Sequence, residues 1–182
     1  MENVTVFLTG QEPGLVKTVS VGMELQKILE ARYTNPYGKK VMELGFGEET
    51  LMPFLSDKFG EKVCHMELGD WNQRNRKISA GLVQGELQCL PINGNSVDVV
   101  VSMNIFEEEF DLARALAEIE RMLINGGESL LIISDEYFED GKLRLETTLE
   151  IVESRIIAAP SEPSNPWVIT LRKKSGTNEI KK

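Results

Sequence analysis

A chain of 182 residues, 41% hydrophobic and 27% charged, is long enough to bury one core without disulfides or metals. Its formal net charge of −9, with no basic stripe to neutralise a run of phosphates, argues against a nucleic-acid surface. The opening MENVTVFLTG carries an early acid and no apolar run of signal length, and no window approaches a membrane span. A soluble, cytoplasmic protein without a membrane partner is therefore expected. Cys64 and Cys89 lie in apolar contexts without CxxC spacing, which predicts buried free thiols rather than a disulfide, and no metal site is foreseen.

In chain order, residues 3–8 (NVTVFL) alternate apolar and polar, as do Val19 and Val21 after Val16, with Gly10, Pro13 and Gly14 between. This pattern predicts a small N-terminal hairpin. Ser20 can then cap a helix carrying Val21, Leu25, Ile28 and Leu29 on one face, stopped by Asn35-Pro36. Val41 to Leu44 reads as the first core strand. It runs into the glycine turn Gly45-Phe46-Gly47, and a helix from about Thr50 or Leu51 to Phe59 follows, with Pro53 in its first turn and Gly60 at its end. Lys62 to Leu68 is a second strand, Trp71 to Ala80 a polar helical stretch, and Leu82 to Glu86 a third strand. A loop through Leu90-Pro91 and Asn93 to Ser96 comes next. Val97 to Val101 (VDVVV) is continuous and β-branched, as a strand covered on both faces should be.

Asp111 can cap a helix with Leu112, Leu116, Ile119 and Leu123 on one face, and Asn125-Gly126-Gly127 supplies a left-handed stop. Ser129 to Ser134 is the fifth strand. A helical patch near Leu143 to Leu149, a strand from about Ile151 to Ala158, a loop from Pro160 to Pro166 and a last strand, Trp167 to Arg172, complete the order. The pattern predicts a single α/β domain over residues 1–174. Its parts are an N-terminal hairpin and helix (1–36), a ligand-binding core (40–134) and C-terminal strands (143–174), with a polar tail at 175–182. The sheet is a Rossmann-like doubly wound one of about seven strands, mostly parallel, with an antiparallel C-terminal strand. Three acids, Glu43, Glu67 and Glu86, end the first three strands beside the glycine turn, which points to a polar site at the sheet's carboxyl edge. His65, the only histidine, reads as a strand residue rather than a base. Glu107 to Glu109 read as a solvated loop.

Four segments, VMELGFGEE, HMELG, QGELQCLPINGNSVDVVVS and LARALAEIERMLINGGESLLIIS, together resemble the class I S-adenosylmethionine-dependent methyltransferases from about Lys40 to Ser134. The resemblance implies S-adenosylmethionine as cofactor and methyl transfer to an acceptor, here expected to be a small molecule. It implies that Gly45 and Gly47, with the Phe46 backbone, approach the methionine half, over a loop ordered by Glu43. By the same resemblance Glu67 accepts from the ribose diol, Leu68 packs on adenine, and Glu86 with the Leu87 N–H reads the adenine edge. Ser102 to Phe106 then follow the fourth strand where cofactor and acceptor contacts lie, with Asn104 nearest the methyl.

The acidic residues Glu48 and Glu49 at the helix start disfavour a pyrophosphate there and so disfavour a dinucleotide oxidoreductase. Glu49 also occupies the place of the family's third glycine, and no catalytic base is evident. A methyltransferase-like domain without activity, serving as a structural or protein-interaction module, is the alternative reading; oligomeric state is open.

Overall fold

Apolar and β-branched runs form the centre of the molecule, described by a computed structural model over residues 13–45, 50–68, 82–103, 111–139, 142–143, 147–157 and 166–175. Helix α1 (Pro13–Arg32) leads into β1 (Val41–Leu44), α2 (Met52–Phe59), β2 (Val63–Leu68), β3 (Leu82–Gly85) and β4 (Val97–Ser102). Then come α3 (Leu112–Met122), β5 (Leu123–Ile133), the hairpin strands β6 (Phe138–Glu139) and β7 (Lys142–Leu143), β8 (Glu150–Ile156) and β9 (Trp167–Arg172). Seven strands make one sheet in the order β3-β2-β1-β4-β5-β9-β8. Strands β1 to β5 pair in parallel, and β9 runs antiparallel to both β5 and β8. This is the mixed, mostly parallel α/β sheet that the alternating pattern predicts.

The two faces are buried by different helices. On one, Val21, Leu25 and Leu29 of α1 and Leu55 and Phe59 of α2 pack over Val41, Val99, Val101, Leu130 and Ile132. On the other, α3 packs Leu112, Ala115, Leu116, Ile119 and Met122 over Met42, Leu44, Val100, Leu131 and Ile169. Those α3 positions recur at helical spacing, and Asp111 caps the helix by accepting the Arg114 N–H at 3.1 Å. Leu123, expected on the helix face, is instead the first residue of β5.

Several expectations are corrected. Val16, Val19 and Ser20 lie inside α1, which begins at Pro13, so there is no hairpin strand there and Ser20 is not the cap. Residues 3–8 lie outside the described residues. A 20-residue helix outcompetes the short alternation because its apolar face, Val21 to Leu29, finds a sheet to cover. Helix α3 stops at Met122, ahead of the glycines; Gly126 is left-handed, at φ +76°, but Asn125-Gly126-Gly127 belongs to the long fifth strand rather than to a helix stop. Gly127 is needed for close approach: a Cβ there would sit 2.9 Å from the Ile124 carbonyl oxygen and 3.1 Å from that of Asp98. Leu143 is in strand β7 and residues 147–149 are not helical, against the expected helical patch; residues 144–146 lie outside the described residues. Cys64 is half-buried and Cys89 exposed, against the expectation of two buried thiols. The polar stretch 71–80 and the tail beyond Ser175 lie outside the described residues.

At the amino edge of the sheet, one buried carboxylate ties three elements together. Glu128 of β5 accepts from the Arg32 Nε and Nη2 at 2.6 and 2.7 Å, the Tyr33 hydroxyl at 2.8 Å and the Arg172 Nη2 at 2.7 Å. Burial alone pushes this carboxyl up, but the hydrogen bonds from Arg32, Arg172 and Tyr33 outweigh it and hold it down at about 2. Arg32 is raised by its bond to Glu128, and the Tyr33 hydroxyl is raised by burial and the nearby carboxylate.

Because the folded carboxyl lies below its ordinary value of 4.5, its contribution is complete above that pH and disappears as pH falls toward about 2. Its size is on the order of 3 kcal/mol at neutral pH. Urea unfolding from pH 7 to 2.5 should show this loss in the wild-type chain and a shallower slope in Glu128→Gln. Equal slopes in the two proteins would remove Glu128 as the cause.

Candidate cofactor site

The parallel registers bring the predicted residues to one edge. Leu44 lies opposite Met66 of β2 and Ser102 of β4, while Leu68 lies opposite Gly85 of β3. Thus Glu43 and Gly45, the Glu67-Leu68 end of β2, Glu86 and Ser102 share the carboxyl edge. Strand β1 sits between β2 and β4, where the strand order reverses, and this is where an open α/β sheet leaves a crevice for ligand.

Glu43 is 1% exposed. Its carboxylate turns back toward α2, accepting the Thr50 hydroxyl at 2.7 Å and the Leu51 N–H at 2.7 Å. Thr50 Oγ1 in turn accepts the Met52 N–H at 3.0 Å. The α2 N-cap, Leu51, has no capping side chain of its own, so these two residues satisfy donors that the helix start would otherwise leave orphaned. The negative charge also sits at the positive end of the helix. Gly45, at the other end of the turn, has φ +61°, a left-handed conformation that costs a residue without Cβ little. The loop is therefore fixed at both ends. Phe46, Gly47, Glu48 and Glu49 lie between them, outside the described residues.

Glu86, the acid expected at the adenine edge, stands on a second braced loop. The Cys89 N–H donates to the Glu86 carbonyl at 2.9 Å, closing a turn that leaves Glu86 exposed and Leu87 buried beneath it. Glu86 follows β3 rather than ending it, forming an isolated bridge with Cys89. Two residues of α3 hold the next stretch. Glu118 accepts the Leu90 N–H at 2.9 Å, and Arg121 donates to the Leu90 and Ile92 carbonyls at 2.9 and 2.7 Å. The bond from Arg121 keeps the Glu118 carboxyl below its usual range.

Ser102 is fully buried at the end of β4, and its Oγ has no hydrogen-bond partner among the described residues. A buried hydroxyl in that state can still bond a ligand. Ser129, deeper on the same face, is likewise without a partner among the described residues. Glu67 and Leu68 close β2 at the edge in backbone position; their side chains, and that of His65, lie outside the described residues, as do Asn104 and Glu107 to Glu109.

Next to this edge, past β5, Trp167 lies opposite Ile133. Its ring stacks on Phe138 with centroids 4.3 Å apart, and its Nε1 donates to Asp135 at 3.1 Å. Sequence reasoning missed Thr50, Glu118, Arg121 and this aromatic pair. The i,i+3 spacing of Glu118 and Arg121 was a visible signal for an ion pair, but not for its use as a clamp on a loop about 30 residues earlier.

Replacing Glu43 with Ala strands the Leu51 N–H and the Thr50 hydroxyl, which should cost about 2–4 kcal/mol. In a chain of this size that lowers the melting temperature by roughly 5–15 °C, as calorimetry would show. An unchanged melting temperature would mean that the carboxylate does not hold the loop.

Comparison with known proteins accords with this geometry. Residues 42–131 match the family described as "Methyltransferase domain". No match is found among curated proteins. Among solved structures, the Burkholderia thailandensis 1,6-didemethyltoxoflavin-N1-methyltransferase, with bound 1,6-didemethyltoxoflavin and S-adenosylhomocysteine, is similar with a TM-score of 0.64 at 17% identity. The alignment covers 89% of this chain and 81% of that one. The putative methyltransferase in complex with the Haloferax volcanii Trm112 methyltransferase activator aligns with a TM-score of 0.59 at 19% identity, over 88% and 95% of the two chains. The [4+2]-cyclase SpnF gives 0.62 at 15% identity, over 84% and 81%. The match over residues 42–131, together with these structures, supports a class I S-adenosylmethionine-dependent methyltransferase with S-adenosylmethionine as its cofactor.

Proposed function

We propose that the chain binds S-adenosylmethionine at the β1–β4 switch point and transfers its methyl group to a small-molecule acceptor. The observation that carries this reading is the buried Glu43 carboxylate fixing the start of α2 across from the left-handed Gly45. Such an arrangement presents loop backbone to a ligand at the strand end. The residues fit the cofactor: a Ser102 hydroxyl with no partner among the described residues, an exposed acid at Glu86 and the left-handed Gly45 share one edge. In this reading Gly45, Phe46 and Gly47 hold the methionine half and Glu43 orders their loop. Glu67 and Leu68 take the ribose and adenine, while Glu86 and the Leu87 N–H take the adenine edge. Ser102 borders the reacting end.

Bound there, S-adenosylmethionine supplies an electrophilic methyl on a sulfonium sulfur, which the acceptor's lone pair displaces. The protein's part is to align acceptor and methyl, and orientation of this kind can supply about 7–11 kcal/mol of a barrier. An acceptor that is already nucleophilic at neutral pH, such as an amine or a thiolate, needs no general base. The acceptor side is assigned to the end of β5, where Trp167 and Asp135 offer an aromatic ring and a carboxylate. A small acceptor is supported by the Burkholderia neighbour, which holds 1,6-didemethyltoxoflavin. The domain spans residues 1–174, and the proposed location is the cytoplasm; no described helix is long and apolar enough to cross a membrane.

The second reading is an inactive module of the same fold. Glu49 in the place of the third glycine favours it, since a carboxylate there would face the cofactor's own. The Haloferax neighbour, which is bound to a protein activator, shows this fold in a protein complex.

Thermal shift with S-adenosylmethionine and S-adenosylhomocysteine separates the two. Ligand at about 100 times its dissociation constant should add about 2.7 kcal/mol, and Glu67→Ala should weaken the binding markedly. No shift at millimolar ligand would leave only the inactive module. Binding unaffected by Glu67→Ala would displace the ribose assignment.

A further inference from the structure

Among the described residues nothing covers the far edge of the sheet: strand β8 pairs there with β9 on one side only, and it presents Ile151 and Ile156, 48% and 53% exposed. Both lie on the α3 face of the sheet, opposite Leu171 and Trp167, while Glu153 and Arg155 lie on the α1 face, opposite Thr170 and Val168. The Ile157 N–H donates to the Pro166 carbonyl at 2.9 Å, toward β9. By the alternation of an antiparallel ladder, the backbone groups of Ser154 and Ile156 point the other way, off the sheet. An exposed edge of this kind is a template for another strand.

We propose that the strand it accepts is β8 of a second copy, paired antiparallel about a two-fold axis at Ser154. Symmetry and charge choose this register. A two-fold axis normal to the sheet keeps paired side chains on one face only when it passes through a residue. An axis at Glu153 would set Glu153 against itself, and an axis at Arg155 would set arginine against arginine. The axis at Ser154 sets Glu153 of each copy opposite Arg155 of the other, twice, on the α1 face. It also makes Ser154 a hydrogen-bonded pair with its own copy, using the outward backbone groups, and brings Ile156 beside Val152 across the junction. Glu153 remains within reach of Arg32, 3.7 Å away, so the cross-strand pairs extend a charged line already present. The register shift between Ile151 and Glu153 limits the regular stretch to the residues around the axis, so the contact is small and the association weak.

Sedimentation velocity of the full chain from about 5 to 500 μM should show a reversible monomer–dimer equilibrium with a dissociation constant in the micromolar range. Arg155→Glu and Glu153→Arg should each weaken self-association by about tenfold or more, because like charges then face each other. An equimolar mixture of the two variants should recover a dimer as tight as the wild type, since every facing pair is again opposite in charge. Ser154→Pro, which removes an outward N–H and no bond to β9, should abolish the dimer while leaving the melting temperature within a few degrees. It tests the edge even if a charge variant fails to fold. A wild-type chain that stays monomeric throughout, or a dimer that neither Arg155→Glu nor Ser154→Pro affects, overturns the proposal.

Discussion

The carboxylate of Glu43 is the interaction on which the site depends. A strand that ends in a glycine turn leaves two problems, a flexible loop and a helix start with unsatisfied N–H groups. One buried side chain answers both, because Thr50 and Leu51 bond to it from the helix side while β1 holds its backbone between β2 and β4. Burying a charge is costly unless it is well bonded, so the carboxylate favours this loop geometry over alternatives that would leave it unpaired. The loop's apolar support, Leu51 and Leu55 on Val41 and Val101, is the ordinary core of that face. A polar anchor on an apolar floor thus fixes the two ends of the loop, Gly45 and Thr50, at the edge.

Two other charged clusters do comparable work elsewhere. Glu128 gathers Arg32, Tyr33 and Arg172 at the amino edge, locking the end of α1 to β5 and β9. Glu118 and Arg121 clamp the Leu90–Ile92 loop to α3, which sets the height of the Glu86 turn. The second pair is partly exposed, and its direct contribution to stability is small. Its consequence is positional, since the loop it holds carries an acid that the cofactor reading needs at the edge. The Glu128 cluster is more buried and acts on stability instead.

The core of the sheet was legible because its strands are short apolar runs followed by turn signals. Val41 to Leu44, Val97 to Val101 and Trp167 to Arg172 gave strands with no competing pattern. The acids of β1 and β2 fell on the edge because parallel strands of similar length put their ends level, and Glu86 follows within one residue. Illegible were the features set by tertiary contact. Val16 to Val21 alternates like a strand, yet the longer apolar face of α1 decides its state. The double glycine after α3 resembles a helix stop, but packing against Asp98 explains Gly127 better than a cap does. Thr50 as a ligand of Glu43 involves two residues seven positions apart across a turn, a contact that no local periodicity encodes.

The C-terminal third shows how one local replacement shapes both ends of the molecule. Between β5 and β8 the described residues contain no α-helix, only a short 3-10 turn and the β6–β7 hairpin. Phe138 of that hairpin stacks on Trp167 and, with Leu149, covers the β9 side of the α3 face, so Ile169 and Leu171 are fully buried. A hairpin this short reaches no further. Strand β8, one place beyond, keeps Ile151 and Ile156 in water on the same face. The same segment aims Asp135 at the Trp167 indole beside the end of β5. The exposed edge and the aromatic pair next to the candidate site thus both border the β6–β7 segment. A longer helix at this position would bury the edge strand, and it would also displace the Phe138 stack that sets the tryptophan's angle.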